Sequence, residues 1–189
     1  TSVGRIIFNK SLPADYAFIN KTFDKKDLKI LENDIWDEYG EDVTVKFLDD
    51  IKDLGFHYAT KSGVSWGMND LRTPKEKPAI IQAADLVIEE NHRLFEEGLL
   101  TEHERRSKAI EIWVNTKAEL SKLVKKQLTF EDAAYMMVVS KSRGSWEVLD
   151  QMMGMRGIMV NPSGELMELP VKDSFKEGLA PLEYFISTH

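Results

Sequence analysis

A mainly α fold with small β elements, carrying a projecting antiparallel helical hairpin of coiled-coil type, is the class this sequence predicts. Three observations predict it. Apolar residues recur every three or four positions through much of the chain, the spacing of one helix face. Two long stretches with that spacing are joined by a connection so short that they must lie antiparallel. β-like runs are few, short and bounded by glycine or proline. The 189 residues suffice for one domain or two small ones, and 42% of them are apolar, as in a packed protein.

Along the chain, Val3 to Phe8 reads as a short β-like run, followed by a loop at Pro13. A helix is expected from Asp24, a capping residue, with Phe23 and Leu28 as a staple pair. Leu28, Leu31 and Ile35 form its apolar stripe, and Gly40 ends it. Asp42 opens the next helix; Phe47, Leu48, Ile51 and Leu54 face inward and Gly55 closes it. Residues 56–73 are rich in small residues. Gly63-Val64-Ser65-Trp66-Gly67 has the spacing of a hydrolase nucleophile elbow, but a helix end and a polar stretch precede it instead of the buried strand such an elbow needs. The chain also lacks the alternating strand and helix pattern of that fold.

The clearest object is 78–128. Ile80, Ala84, Val87, Asn91 and Leu94 step by four and three in the first arm; Ala109, Trp113, Thr116, Leu120 and Leu123 do so in the second. Gly98 stops the first helix, and Thr101 with Glu104 forms a capping box for the second. The first arm, 78–97, holds five acids and one base; the second, 101–127, holds four acids and seven bases, so the arms attract side by side. Each would be about 30 Å long. High charge and a narrow seam favour a projecting arm over a hairpin buried in its own domain, and Asn91 is expected to fix register.

After residue 128 comes an apolar run, Tyr135 to Val139, then Ser142-Arg143-Gly144-Ser145 leading into a helix from Trp146 to Met153. Asn161-Pro162-Ser163-Gly164 is a turn, flanked by Ile158–Val160 and Glu165–Leu169 as a hairpin whose second strand Pro170 confines to an edge. A final helix is expected from about Glu177, with Leu179, Leu182, Phe185 and Ile186 in phase. The chain starts at Thr1 and stops at His189 with that pattern uncapped, so the expectation is a piece cut from a longer polypeptide.

Several chemistries are excluded by content. Without cysteine there are no disulfides, thiolate metal sites or cysteine nucleophiles, which is compatible with a reducing cytoplasm. His57, His92, His103 and His189 are scattered without ligand spacing, so no metal site is expected. No P-loop or dinucleotide fingerprint is present. No run approaches the roughly 18 apolar residues of a membrane span. A net charge of −7 argues against a free-standing nucleic-acid binder, though not against one part of a larger assembly. One arrangement is suggestive: Arg143 beside Gly144 and a helix start at Ser145 could hold a phosphate, or could be an N-cap with a surface arginine.

Six stretches carry a resemblance: "TSVGRIIFN" at 1–9, "DLGFHYATKSGVSWGMNDL" at 53–71, "GLLTEHERRSKAIEIW" at 98–113, "YMMVVSKSRGS" at 135–145, "GMRGIMVNPSGELMELPV" at 154–171 and "FKEGLAPLEYFISTH" at 175–189. In order and over nearly the whole chain they resemble the β′ family, the largest catalytic subunit of bacterial multisubunit RNA polymerase.

The resemblance implies three parts. Residues 1–73 would be a helical, funnel-like module around the secondary channel, and 74–128 the rim-helix hairpin. Residues 129–189 would hold an active-site-proximal loop, a β-hairpin and the start of the bridge helix. It further implies factor docking at Glu104, Arg105, Ser107, Lys108 and Glu111 for Gre-type secondary-channel factors. Gly154, Met155, Arg156, Gly157 and Met159 would brace the bridge helix, which would include Phe185, Thr188 and His189. Arg143 would lie near the triphosphate of the incoming nucleotide. No catalytic residue, metal ligand or cofactor is assigned within the chain. The family's magnesium aspartates, in an Asn-Ala-Asp-Phe-Asp-Gly-Asp motif, belong upstream and its trigger loop downstream; Mg2+ belongs to the intact enzyme. Implied partners are the β, α, ω and σ subunits, template DNA, RNA and nucleoside triphosphates, in the cytoplasm and without a membrane. Two positions depart from the family pattern: Lys141-Ser142 stands where Gly-Ala is usual, and Asp150 where a basic residue is usual. The alternative reading is an independent coiled-coil regulator of a polymerase channel.

Overall fold

The computed structural model describes residues 1–188, so His189, assigned above to the bridge helix, lies outside the described residues. The chain is mostly helical. It forms two compact units, residues 1–65 with 139–143, and residues 66–138 with Gly144 onward.

In the first unit, α1 spans Val3–Asn9, α2 Lys25–Tyr39 and α3 Glu41–Ser62. Val3 to Phe8 is therefore helical, not β. A short apolar run does not separate strand from helix by periodicity; here Ser2 caps the Arg5 N–H and the Asn9 amide bonds the Ile19 backbone in both directions, at 2.9 and 2.7 Å. The α2 start follows the capping expectation: Asp24 accepts from the N–H of Lys26 and Asp27, and the Asp27 carboxylate accepts from the Asp24 N–H. Gly40, at φ +80°, ends α2. Asp42 lies inside the first turn of α3 and does not cap it. Nor does Gly55 close α3. It sits exposed in the helix with nothing crowding it, and the stop is Gly63 at φ +62°, the left-handed backbone glycine adopts most readily. Leu12, Leu31, Ile35 and Phe47 form this unit's core. Leu48, expected inside, is exposed, because the buried face of α3 runs through Thr44 and Phe47 instead.

In the second unit, α4 spans Lys77–Glu96 and α5 Glu102–Gln127, paired as a hairpin. At the end of α4 the N–H of Leu99 reaches Leu94 O and that of Gly98 reaches Phe95 O, both 2.9 Å, a Schellman stop with Gly98 at φ +74°. Thr101 and Glu104 form the capping box of α5. Ala84 packs with Trp113 and Leu120, and Ala84 and Asn91 on α4 and Arg105, Ala109, Trp113, Thr116, Leu120 and Val124 on α5 are buried. Val87, placed on the seam above, is 52% exposed: it borders an open groove on one side of the hairpin.

α6 spans Ala133–Val139 and α7 Trp146–Leu149; a π-helical turn at Asp150–Gly154 replaces the α-helix expected as far as Met153. The reason is visible in the hydrogen bonds. The carbonyls of Gln151 and Met152 accept from the N–H groups of Phe175 and Lys176, each at 3.1 Å. The expected hairpin after Gly157 is reduced to two antiparallel bridges, Gly157 with Val171 and Val160 with Leu166, around the Asn161–Gly164 turn. The last helix, α8, spans Pro181–Thr188 and does not begin near Glu177. Ser174 and Glu177 close a local turn there and Gly178, at φ +87°, breaks the chain direction; proline then suits the first helical position. Among the described residues no helix is long and apolar enough to cross a membrane.

Candidate functional site

The glycine-rich stretch lies along α5. Met153 and Met155 are fully buried, Met153 with Leu71, Val124 and Leu149, and Met155 with Ala84, Trp113 and Leu120. Gly154 lets the backbone approach, for a Cβ there would stand 3.4 Å from Val124 Cγ2. Gly157 is tighter. At φ +88° its missing Cβ would come within 2.8 Å of Lys117 Cδ on α5. Its N–H and carbonyl are both used, to Val171 O at 2.8 Å and from the Val171 N–H at 2.9 Å.

Arg156 turns the other way, toward α8. Its Nη2 donates to the Ser187 carbonyl at 3.1 Å, its Nε to Met159 Sδ at 3.4 Å, and its guanidinium lies 4.9 Å from the Phe175 ring. α8 is held a second time by Glu183, whose Oε1 accepts from the N–H groups of Lys172 and Asp173 at 2.7 and 3.3 Å. Burial, and next the hydrogen bond that its protonated form would donate to the Glu183 carboxylate, raises the Asp173 carboxyl above its ordinary range. Lys172 stitches the same segment to the hairpin: Nζ reaches Asp85 on α4 at 2.6 Å and lies 5.0 Å from the Trp113 ring on α5. Residues 150–177 are thus a wedge fixed to α5 on one side and to α8 on the other.

On α8, Phe185 and Thr188 are exposed and Ile186 is buried. Of the residues expected to dock factors, Glu104, Ser107, Lys108 and Glu111 are exposed. Arg105 is not: it is 8% exposed, pairs with Glu102 and Glu168, and faces Phe95 at 5.4 Å. Those carboxylates, Glu102 first, hold its pKa above the ordinary arginine value. Its carbonyl accepts from Asn91 Nδ2 at 2.8 Å, which sets the hairpin register.

Arg143 is exposed at the end of the 139–143 segment of the first unit. Ser145 caps α7 as expected, accepting from the Val148 N–H, and α7 is only four residues long. Lys141, two residues before Arg143, has φ +58° and an ion pair with Asp24 at the start of α2. A non-glycine residue in that backbone region costs about 1–2 kcal/mol. Sequence reasoning missed Lys117, Glu183 and Lys172, and marked Lys141 only as a departure from the family pattern. Each acts on a residue distant in sequence, and local spacing carries no signal for that. Among the described residues no three His, Cys, Asp or Glu side chains are grouped to hold a metal ion.

Residues 1–71 match the family described as RNA polymerase Rpb1, domain 3, and residues 100–177 match RNA polymerase Rpb1, domain 4. Over its whole length the chain is 42% identical to the DNA-directed RNA polymerase subunit beta′ of Acidothermus cellulolyticus, covering 14% of that protein. It is 41% identical over the same length to the subunit beta′ of Syntrophomonas wolfei, covering 16% of it. With that of Renibacterium salmoninarum the figures are 40% and 14%. The chain therefore spans about one-seventh of the length of the relatives it matches.

Proposed function

The chain belongs to the β′-subunit family of bacterial DNA-directed RNA polymerase, and on that premise we propose that it serves template-directed RNA synthesis by bracing a helix of the active-centre surround. The observation that carries this is the wedge: Gly157 seated on α5 through the space its Cβ would fill, and Arg156 beside it holding the Ser187 carbonyl of α8. In this reading α8 is the start of the bridge helix, with Phe185 and Thr188 turned to other parts of the enzyme. Residues 1–73 line the secondary channel and 74–128 form its rim. Gre-type factors dock around Gly98 to Arg106, through Glu104, Ser107, Lys108 and Glu111, while Arg105 stiffens the tip from within. Arg143 contacts the nucleotide triphosphate. The β, α, ω and σ subunits, DNA and RNA are the partners, in the cytoplasm.

Transfer of a nucleotidyl group depends on positioning and charge stabilisation more than on a protein nucleophile, so a bracing contact acts on rate through geometry. The described residues do not assemble a magnesium site.

The test is single-nucleotide addition by a polymerase containing this chain. Arg156→Ala removes a charge-assisted bond worth about 1–2 kcal/mol in a half-open site, so addition should slow roughly 5- to 30-fold. Arg156→Lys, a point charge without the planar fork, should recover part of it. An alanine variant adding nucleotides at the unsubstituted rate overturns the reading.

A further inference from the structure

We propose that Lys141 is a positioning residue, which holds the loop carrying Arg143 on the N-terminus of α2 through its ion pair with Asp24. The proposal rests on the reading that Arg143 contacts the nucleotide triphosphate, and adds what places it there.

Three observations carry it. Lys141 adopts φ +58°, the one non-glycine residue with positive φ among those described, so its surroundings must hold it in a conformation that a side chain disfavours. Its Nζ donates to Asp24 Oδ2, across 117 residues of sequence. Asp24 is no ordinary surface acid. Its Oδ1 accepts from the Lys26 and Asp27 N–H groups at 2.7 and 3.0 Å, its own N–H donates to Asp27 Oδ2 at 3.4 Å, and Lys21 Nζ holds Asp27 Oδ1 at 3.0 Å. The carboxylate that receives Lys141 is thereby fixed in orientation by the helix start, and acts as an anchor. Its carboxyl is held down at about 2, the hydrogen bond from Lys141 being the largest cause. The segment 139–143 accordingly packs with the first unit, although the chain on both sides of it belongs to the second. With only Ser142 between them, fixing Lys141 limits where Arg143 can reach.

The test separates the anchor from the cap and from Arg143 itself. Asp24→Ser keeps a good N-cap and removes the ionic partner. Lys141→Met removes the charge and keeps the length. In the reconstituted polymerase, each should raise the apparent KM for the nucleotide by about two- to fivefold, the scale of a partly exposed ion pair, with kcat nearly constant. The double variant should be no worse than either single one, and Lys141→Arg should restore the KM. Losses that add, or KM values equal to the unsubstituted enzyme while Arg143→Ala still raises KM, overturn the proposal. Unsubstituted kinetics in Arg143→Ala overturn the nucleotide reading and this role with it. Trypsin checks the tether separately: Asp24→Ser should speed cleavage after Arg143 by about the same factor, and unchanged cleavage contradicts it.

Discussion

Gly157 is under two demands, and their sizes decide what a substitution does. A side chain at φ +88° costs about 1–2 kcal/mol whatever the space around it. The contact with Lys117 Cδ is close, but Lys117 is a flexible chain that can swing aside. Gly157→Ala should therefore lower stability by about 1–2 kcal/mol, and Lys117→Ala in the same background should return little of it; thermal unfolding of both variants measures this. Large recovery would mean the contact, not the backbone, decides. Asp150 offers a pH test. It is nearly buried, donates nothing as a carboxylate, accepts from Ser121 Oγ at 2.7 Å, and has Oδ1 without a partner. Burial raises its pKa above the ordinary carboxyl value. For an acid raised in the folded state, the folded form binds more protons, so stability is fullest below the unfolded pKa and declines as pH rises through the folded one. Asp150→Asn should flatten that decline and raise the unfolding temperature at neutral pH; a steeper pH dependence in the variant would contradict it. These residues show what the sequence conceals. The stretch Gly154 to Met159 announces a backbone that must bend closely past something, yet the neighbour of Gly157 is Lys117 on α5, which only the fold brings near. Nothing in Ser140-Lys141-Ser142 announces a lysine with positive φ.

At the level of elements, what was legible followed from local chemistry. The starts of α2 and α5 and the stop of α4 are written in side chains within four residues of the boundary, and the structure places them there. What was not legible depended on partners. α1 needed Asn9 to reach Ile19, and the π-helical turn needed the N–H groups of Phe175 and Lys176. α8 began later because the Ser174–Glu177 turn held its approach. In the hairpin, opposite net charges on the arms were visible, but the ion pairs that Arg105 makes beyond its own helix turn go to Glu168, in the wedge. Removing the guanidinium leaves that carboxylate without its buried partner. Arg105→Ala should cost on the order of 2 kcal/mol, below a fully buried pair because Glu168 is partly open. Glu168→Gln, which keeps a hydrogen-bond acceptor, should cost less. Denaturant unfolding of the two variants checks the order, and an Arg105→Ala loss no larger than that of Glu168→Gln would contradict it.

For the whole molecule, the contacts that join the hairpin, the wedge and α8 fit a part that positions others. In the proposed role its contribution to synthesis is geometric: a hairpin with a fixed register, a wedge seated on it by two glycines, and a helix held by Arg156 and Glu183. Such a part should be transferable between relatives at 42% identity, because the contacts that define it lie inside the chain. The most direct measurement replaces the matching stretch of the Acidothermus cellulolyticus subunit with these 189 residues and follows template-directed RNA extension by the reconstituted enzyme. The expected result is extension by the chimera, slowed roughly 5- to 30-fold when Arg156→Ala is added. A chimera that assembles with the other subunits and extends no RNA, or one that extends equally well with and without Arg156, would contradict the bracing role.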